Sequence, residues 1–238
     1  MSALREKILD VLPPKVAAYI MYRIGLHKTF DPFGGPMNGQ TARLELVRSI
    51  LETCQIEQVI ETGTYHGTTT EWFSQFGFPI FSAEFHPRWA SFSKYRMANR
   101  SNVHIENSDS VHALERWSRD PDIVSRRTLF YLDAHWREHL PLQRELELIS
   151  REFNSWIAVI DDFNVTGDDG YGFDNYGAGR VLNMDYIRQC KINNAAIFFP
   201  NVSSKWETGA KRGSVVLVSG ADLAAKCRAL PLLKPTPR

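Results

Sequence analysis

The chain has 238 residues, 43% of them apolar and 23% charged, with 28 lysines and arginines set against 27 aspartates and glutamates. That length suffices for one large domain with a well-buried core, and the proportions exclude a disordered polymer. A net charge of +1 with no dense basic cluster argues against a nucleic-acid partner, since Arg126–Arg127 and Lys211–Arg212 read as isolated, solvated pairs.

In chain order, the first expected element is an apolar run from Val16 to Leu26, which follows Pro13–Pro14 and contains Arg23. It is too short to span a bilayer and lacks the small-residue cleavage pattern of a leader, so no membrane partner is expected. It reads as an N-terminal helix packed on the domain, with a dimer or lid element as the alternative. A dense turn cluster, Asp31 to Gln40, follows it. Residues 1–40 are therefore expected to form a helical extension and connector ahead of a main domain at 41–238.

Beyond residue 40, short apolar runs alternate with amphipathic stretches. Gln58–Glu61, Ile80–Glu84, Val103–Glu106, Leu129–Asp133 and Trp156–Asp161 read as strands, being β-branched or aromatic and bounded by turns. Between them Ala42–Cys54, Thr69–Phe76, Arg88–Asn99, Val111–Trp117 and Leu140–Phe153 read as helices. The last puts Leu142, Leu146 and Ile149 on one face. Ala195–Phe199 and Ser214–Val218 add two strands at the end. The alternation predicts a doubly wound α/β fold, a mostly parallel sheet with helices on both faces, carrying an N-terminal helical extension. Cys54, Cys190 and Cys227 form no CxxC pair, which argues against a disulfide framework or a cysteine zinc site and suits a cytoplasmic location.

A sheet of this kind binds ligands outside the carboxyl ends of its strands. Those ends carry Glu61, Glu84, Asp109, Asp133 and the pair Asp161–Asp162. Helix caps and turns would account for one or two of them, but five successive acidic ends point to a site. The first strand runs into ETGTYHGTTT, Glu61 to Thr70. There Gly63 and Gly67 allow a tight turn and a close ligand approach, and the threonines can cap the next helix. The spacing is not GxGxxG. Glu84 is suited to accept both hydroxyls of a ribose. Asp109, flanked by Ser108 and Ser110, can cap a helix or bond an adenine amino group.

Taken together, ExGxxxG after strand one, an acid after strand two and SDS after strand three resemble the cofactor motifs of class I S-adenosylmethionine-dependent methyltransferases, over roughly residues 40 to 218. The resemblance implies that Glu61, Gly63, Thr64 and Gly67 surround the methionine end of the cofactor and Glu84 its ribose. Ser108 and Asp109 would meet the adenine, with Asp133 completing the cofactor site, and 41–238 would be the cofactor-binding catalytic domain. Thr64, Tyr65 and His66 depart from a fully glycine-rich loop.

Strand four ends in LDAHW, Leu132 to Trp136, and strand five in IDDFN, Ile160 to Asn164. Adjacent strands lie about 4.8 Å apart, so Asp133, Asp161 and Asp162 could converge on one divalent cation, which would relieve their repulsion. Helix capping with surface solvation is the plain alternative. The arrangement is similar to metal-dependent small-molecule O-methyltransferases, nearest to the macrocin and cephalosporin-hydroxylase-like group, and that similarity implies Mg2+. His135 and Asp133 are the candidate catalytic residues, with His135 as general base or as pocket wall. The run from His135 to His139 is not HExxH and shows no third zinc ligand. The glycine- and aspartate-rich stretch from Phe163 to Arg180 reads as a lid or binding loop, with Tyr171, Phe173 and Tyr176 as apolar surfaces. The expected activity is methyl transfer from S-adenosylmethionine to a hydroxyl of a small molecule, a sugar or secondary metabolite, with a homo-oligomer left open. A hydroxylase-like enzyme using iron on the same scaffold and a non-catalytic cofactor-binding protein are the rivals.

Overall fold

Eight strands form one sheet: β1 (Gln58–Thr62), β2 (Ile80–Glu84), β3 (Val103–Asn107), β4 (Thr128–Leu132), β5 (Trp156–Asp161), β6 (Ala196–Pro200), β7 (Ser214–Val218) and β8 (Leu233–Pro235). The structure is a computed structural model that describes residues 9–29, 32–135, 139–192 and 194–236. Spatial order is β3-β2-β1-β4-β5-β7-β6-β8. The first five strands pair in parallel, while β7 runs antiparallel to β5 and β6, and β8 antiparallel to β6. Every residue of β1, β4 and β5 is buried, which is why β4 and β5 read as nearly continuous apolar runs rather than alternating ones.

The helices are α1 (Pro14–Arg23), α2 (Thr41–Thr53), α3 (Thr68–Phe73), α4 (Pro87–Arg96), α5 (Ser110–Trp117), α6 (Leu142–Glu152), α7 (Met184–Gln189) and α8 (Ala221–Arg228), with shorter helical turns elsewhere. Alternate strand residues feed two cores. Phe130, Leu132, Ala158 and Ile160 pack with Leu114 of α5 and Leu146 of α6 on one face. Leu129, Tyr131, Ile157 and Val159 pack with Leu46 of α2 and Leu223 of α8 on the other. The expected doubly wound architecture is present, with most element ends shifted by one to three residues. The sequence reading did not include α7, α8 or β8. The N-terminal run is helical from Pro14, a proline at the first helical position where its missing N–H costs nothing. Its Ala17, Ala18 and Met21 pack on Phe92 of α4. No helix among the described residues is long and apolar enough to cross a membrane.

Register decides where the site lies. Thr62 pairs with Ala83 and Leu132, Leu132 with Ile160, and Glu84 with Asn107. The carboxyl ends of β1 to β5 are therefore level along one edge, and the chain reverses direction of winding between β1 and β4.

Candidate active site

The loop after β1 is shaped by two glycines with positive φ, Gly63 at +89° and Gly67 at +75°. A Cβ on Gly63 would lie 2.2 Å from the carbonyl oxygen of Asp133, so this glycine is required by the backbone at the end of β4. Gly67 occupies the N-cap of α3. Glu61 is enclosed beneath the loop at 1% exposure, where its carboxylate accepts the hydroxyls of Thr70 and Ser82. Thr64 shares a 2.6 Å hydrogen bond with Ser82. Burial, with only hydroxyl partners to offset it, pushes Glu61 up to about 7. Glu61 and Thr64 thus tie β1, β2 and α3 together under the loop instead of lining an open surface.

At the end of β2, the carboxylate of Glu84 accepts the backbone N–H of Tyr65 and of His86, each at 2.7 Å. Burial raises its pKa, against the two amides that lower it. At the end of β3, Asp109 caps α5 by accepting from Val111 N–H at 3.0 Å, and its other oxygen lies 3.2 Å from His139 Nε2. Ser108 Oγ accepts from Arg116 at 2.7 Å. Phe85 is 69% exposed and stacks on His139 with ring centroids 5.7 Å apart. Phe85 and His139 join Asp109 in one slot that the sequence reading did not assemble. The signal available in the sequence was an aromatic, Phe85, directly after the strand-end acid Glu84. Trp136, of the LDAHW motif, lies outside the described residues.

The β4–β5 acids divide. Asp161 is fully buried and faces inward, paired with the guanidinium of Arg43, which is also buried. It also accepts Tyr131 O–H at 2.7 Å, Asn38 Nδ2 at 3.0 Å and Asp162 N–H at 2.7 Å. The expected trio Asp133, Asp161, Asp162 is therefore corrected. Successive residues of an extended chain point to opposite sides, and the buried guanidinium of Arg43 claims Asp161. Asp162, at φ +54°, turns its carboxylate outward to Arg212, which also binds Asp174.

The structure brings together Asp133, His135 and Asp162, with candidate ligand atoms within 4.8 Å of one another. His135 Nε2 lies 3.8 Å from Asp133 Oδ1 and 3.6 Å from Asp162 Oδ2. The imidazole is 2% exposed, and Nε2 has no hydrogen-bond partner among the described residues. Burial and the nearby carboxylates Asp161 and Asp162 hold Asp133 well above the ordinary carboxylate range. Burial would raise Asp162 too, yet His135 and Arg212 hold it below. Burial would lower His135, but Asp162 raises it. Much of the repulsion expected of these acids is relieved by Arg43 and Arg212. An enclosed, unpartnered nitrogen facing two carboxylate oxygens is a donor set that fits a divalent cation.

The 163–180 stretch is stitched down. Phe163, Val165 and Tyr171 are buried, and backbone bonds join Asn164 to Leu182, Asp174 to Asp162 and Gly172 to Lys211. It forms a wall of the site, with the Tyr176 ring 6.4 Å from that of His135 and Phe173 partly exposed.

The O-methyltransferase from Bacillus cereus, solved in complex with SAH, superposes at a TM-score of 0.56 with 16% identity, over 91% of this chain and 97% of that one. The chain has the methyltransferase fold. TomG from Streptomyces achromogenes, an O-methyltransferase involved in tomaymycin synthesis and solved with SAM, matches at 0.52 and 16% identity, over 75% of this chain and 79% of its own. The methyltransferase domain of a bacterial Hen1 (CtHen1-CN) matches at 0.50 and 14%, over 75% and 98%. No protein-family model matches the sequence, and no curated protein matches it.

Proposed function

We propose that the protein is an S-adenosylmethionine-dependent O-methyltransferase acting on a hydroxyl of a small molecule, with a divalent cation at Asp133, His135 and Asp162. The observation that supports this most is the level register of β1 to β5. It lines up the Gly63–Gly67 loop, Glu84, Asp109 and the β4–β5 cluster along one edge of a sheet whose relatives in fold were solved with SAM or SAH.

Each oxygen of Glu84 already accepts one amide and keeps a further lone pair, which suits the two hydroxyls of a ribose. Phe85 and His139 offer ring faces to an adenine, and Asp109 an acceptor for its amino group. The backbone of the Gly63–Gly67 loop receives the methionine end. Bound S-adenosylmethionine supplies an electrophilic methyl, and a bound divalent cation supplies a Lewis acid that lowers the pKa of the acceptor hydroxyl. Asp133 would orient that hydroxyl and take its proton on the carboxylate oxygen turned away from the cation, while His135 helps to hold the cation. Arg212, fixed between Asp162 and Asp174, keeps the cluster in position. The rate gain comes mainly from alignment of the methyl carbon and the acceptor oxygen.

Calorimetry with S-adenosylhomocysteine tests the reading. Saturable binding is expected, weakened by about 1–3 kcal/mol in Glu84→Ala, the scale for removing a partner of buried hydroxyls. No binding to the unmodified protein removes the proposal.

A further inference from the structure

We infer that the cation site selects a first-row transition ion that accepts imidazole nitrogen, such as Mn2+, Fe2+ or Co2+, over the Mg2+ that the resemblance implies, with His135 as a ligand. The inference rests on the reading that this cluster holds a cation, and it goes on to the identity of the ion and the division of labour among its residues.

Three observations carry it. Asp161 has no capacity left for a metal: Arg43, Tyr131, Asn38 and the Asp162 amide give it four hydrogen bonds, about the number a carboxylate can accept. The expected set of Asp133, Asp161 and Asp162 thereby loses its third carboxylate. His135 Nε2 is buried and has no hydrogen-bond partner among the described residues, although a buried polar nitrogen is normally paired. Its separations of 3.8 Å from Asp133 Oδ1 and 3.6 Å from Asp162 Oδ2 are too long for hydrogen bonds. They lie near the roughly 3.0–3.6 Å between two ligands of one ion at bond lengths of about 2.0–2.2 Å. Finally, Arg212 engages Asp162 through Oδ1 and leaves Oδ2 turned toward His135.

Two oxygens and one nitrogen on one side of an ion leave its remaining positions for the acceptor and water. Mg2+ prefers an oxygen shell in near-ideal octahedral geometry, whereas imidazole suits the first-row transition ions. With His135 ligating, the acceptor's O–H proton would pass to the second carboxylate oxygen of Asp133, and the hydroxyl oxygen would bond the methyl carbon as the S–CH3 bond of the sulfonium breaks, its electron pair staying on sulfur as the neutral thioether.

The test uses the full chain stripped of metal and titrated with Mg2+, Mn2+ and Co2+ by calorimetry. The Co2+ form is also read by its visible ligand-field bands and the Mn2+ form by electron paramagnetic resonance for nitrogen coupling. Co2+ and Mn2+ are expected to bind roughly tenfold or more tightly than Mg2+. His135→Ala should erase that ratio, and His135→Asp, which restores an oxygen donor, should shift it toward Mg2+. The wild-type ratio and the nitrogen coupling stand even where a variant fails to fold. Mg2+ binding as tightly as Co2+, or an unchanged ratio in folded His135→Ala, overturns the inference and leaves the cation reading intact. Binding of none of the three ions overturns both, while S-adenosylhomocysteine binding decides the methyltransferase reading separately.

Discussion

The two halves of the strand-end edge handle negative charge differently. At β1 to β3 the carboxylates are held by uncharged donors: Glu61 by hydroxyls, Glu84 by two backbone amides, and Asp109 largely by the first turn of α5. At the end of β5 they are held by cations, Asp161 by Arg43 and Asp162 by Arg212, while Asp133 after β4 has its pKa raised by burial beside them. Amides are fixed once the backbone folds, and they leave lone pairs for a neutral, hydroxyl-rich ligand. Guanidinium groups come from distant side chains and balance charge outright, which suits a place where charge develops and must be held. That division matches the proposed roles, recognition in the first half and reaction in the second.

The largest effect is expected where that balance is broken in the interior. Arg43→Met leaves Asp161 buried and uncompensated, and urea unfolding should show a loss of about 3–5 kcal/mol. The double variant Arg43→Met with Asp161→Asn should lose less than the single one. An equal or greater loss would mean that the pair acts through packing rather than charge.

A smaller effect sharpens the contrast through pH. Glu61, lacking a cationic partner, is pushed up to about 7 from an ordinary value of 4.5. An acid raised on folding contributes stability that is complete below pH 4.5 and lost as pH rises through about 7. The shift corresponds to about 3 kcal/mol. The difference in unfolding free energy between wild type and Glu61→Gln should therefore change by that amount between pH 4 and 8 (roughly the span of the two pKa values). A pH-independent difference would show that Glu61 does not titrate in this window. The smallest effect is at Asp109, where Asp109→Ala removes the α5 cap and should cost about 1 kcal/mol in thermal unfolding. Loss of several times that would assign Asp109 more than a cap and its contact with His139.

The parallel sheet was legible because β1, β4 and β5 are buried throughout and so appear as short runs rich in β-branched and aromatic residues between turns. β8 was not, since LKP is three residues long and carries no alternation. α8 does carry a pattern, with Leu223, Ala224 and Cys227 inward, but it is short and follows the last long apolar run. Strand ends exposed the acids, because topology alone puts them on one edge. What each acid faces was hidden. Arg43 meets Asp161 across 118 positions of chain, and nothing local in DDF tells which aspartate turns inward. Separation in sequence, 54 positions from Phe85 to His139, also hid the slot of Phe85, Asp109 and His139.

The near-contact of Gly63 with the Asp133 carbonyl has a kinetic consequence. The loop proposed for the methionine end rests on the strand that bears the proposed cation cluster, and Glu84 clamps its Tyr65 amide from the next strand. Such a loop is ordered by folding itself, so the entropy of fixing it is already spent before any ligand arrives. On the proposed reading, encounter with the cofactor would need no rearrangement of the cradle, and the association rate should track diffusion and orientation rather than loop closure. Any side chain at position 63 would separate the two strands' ends and convert a preset cradle into one that each binding event must rebuild.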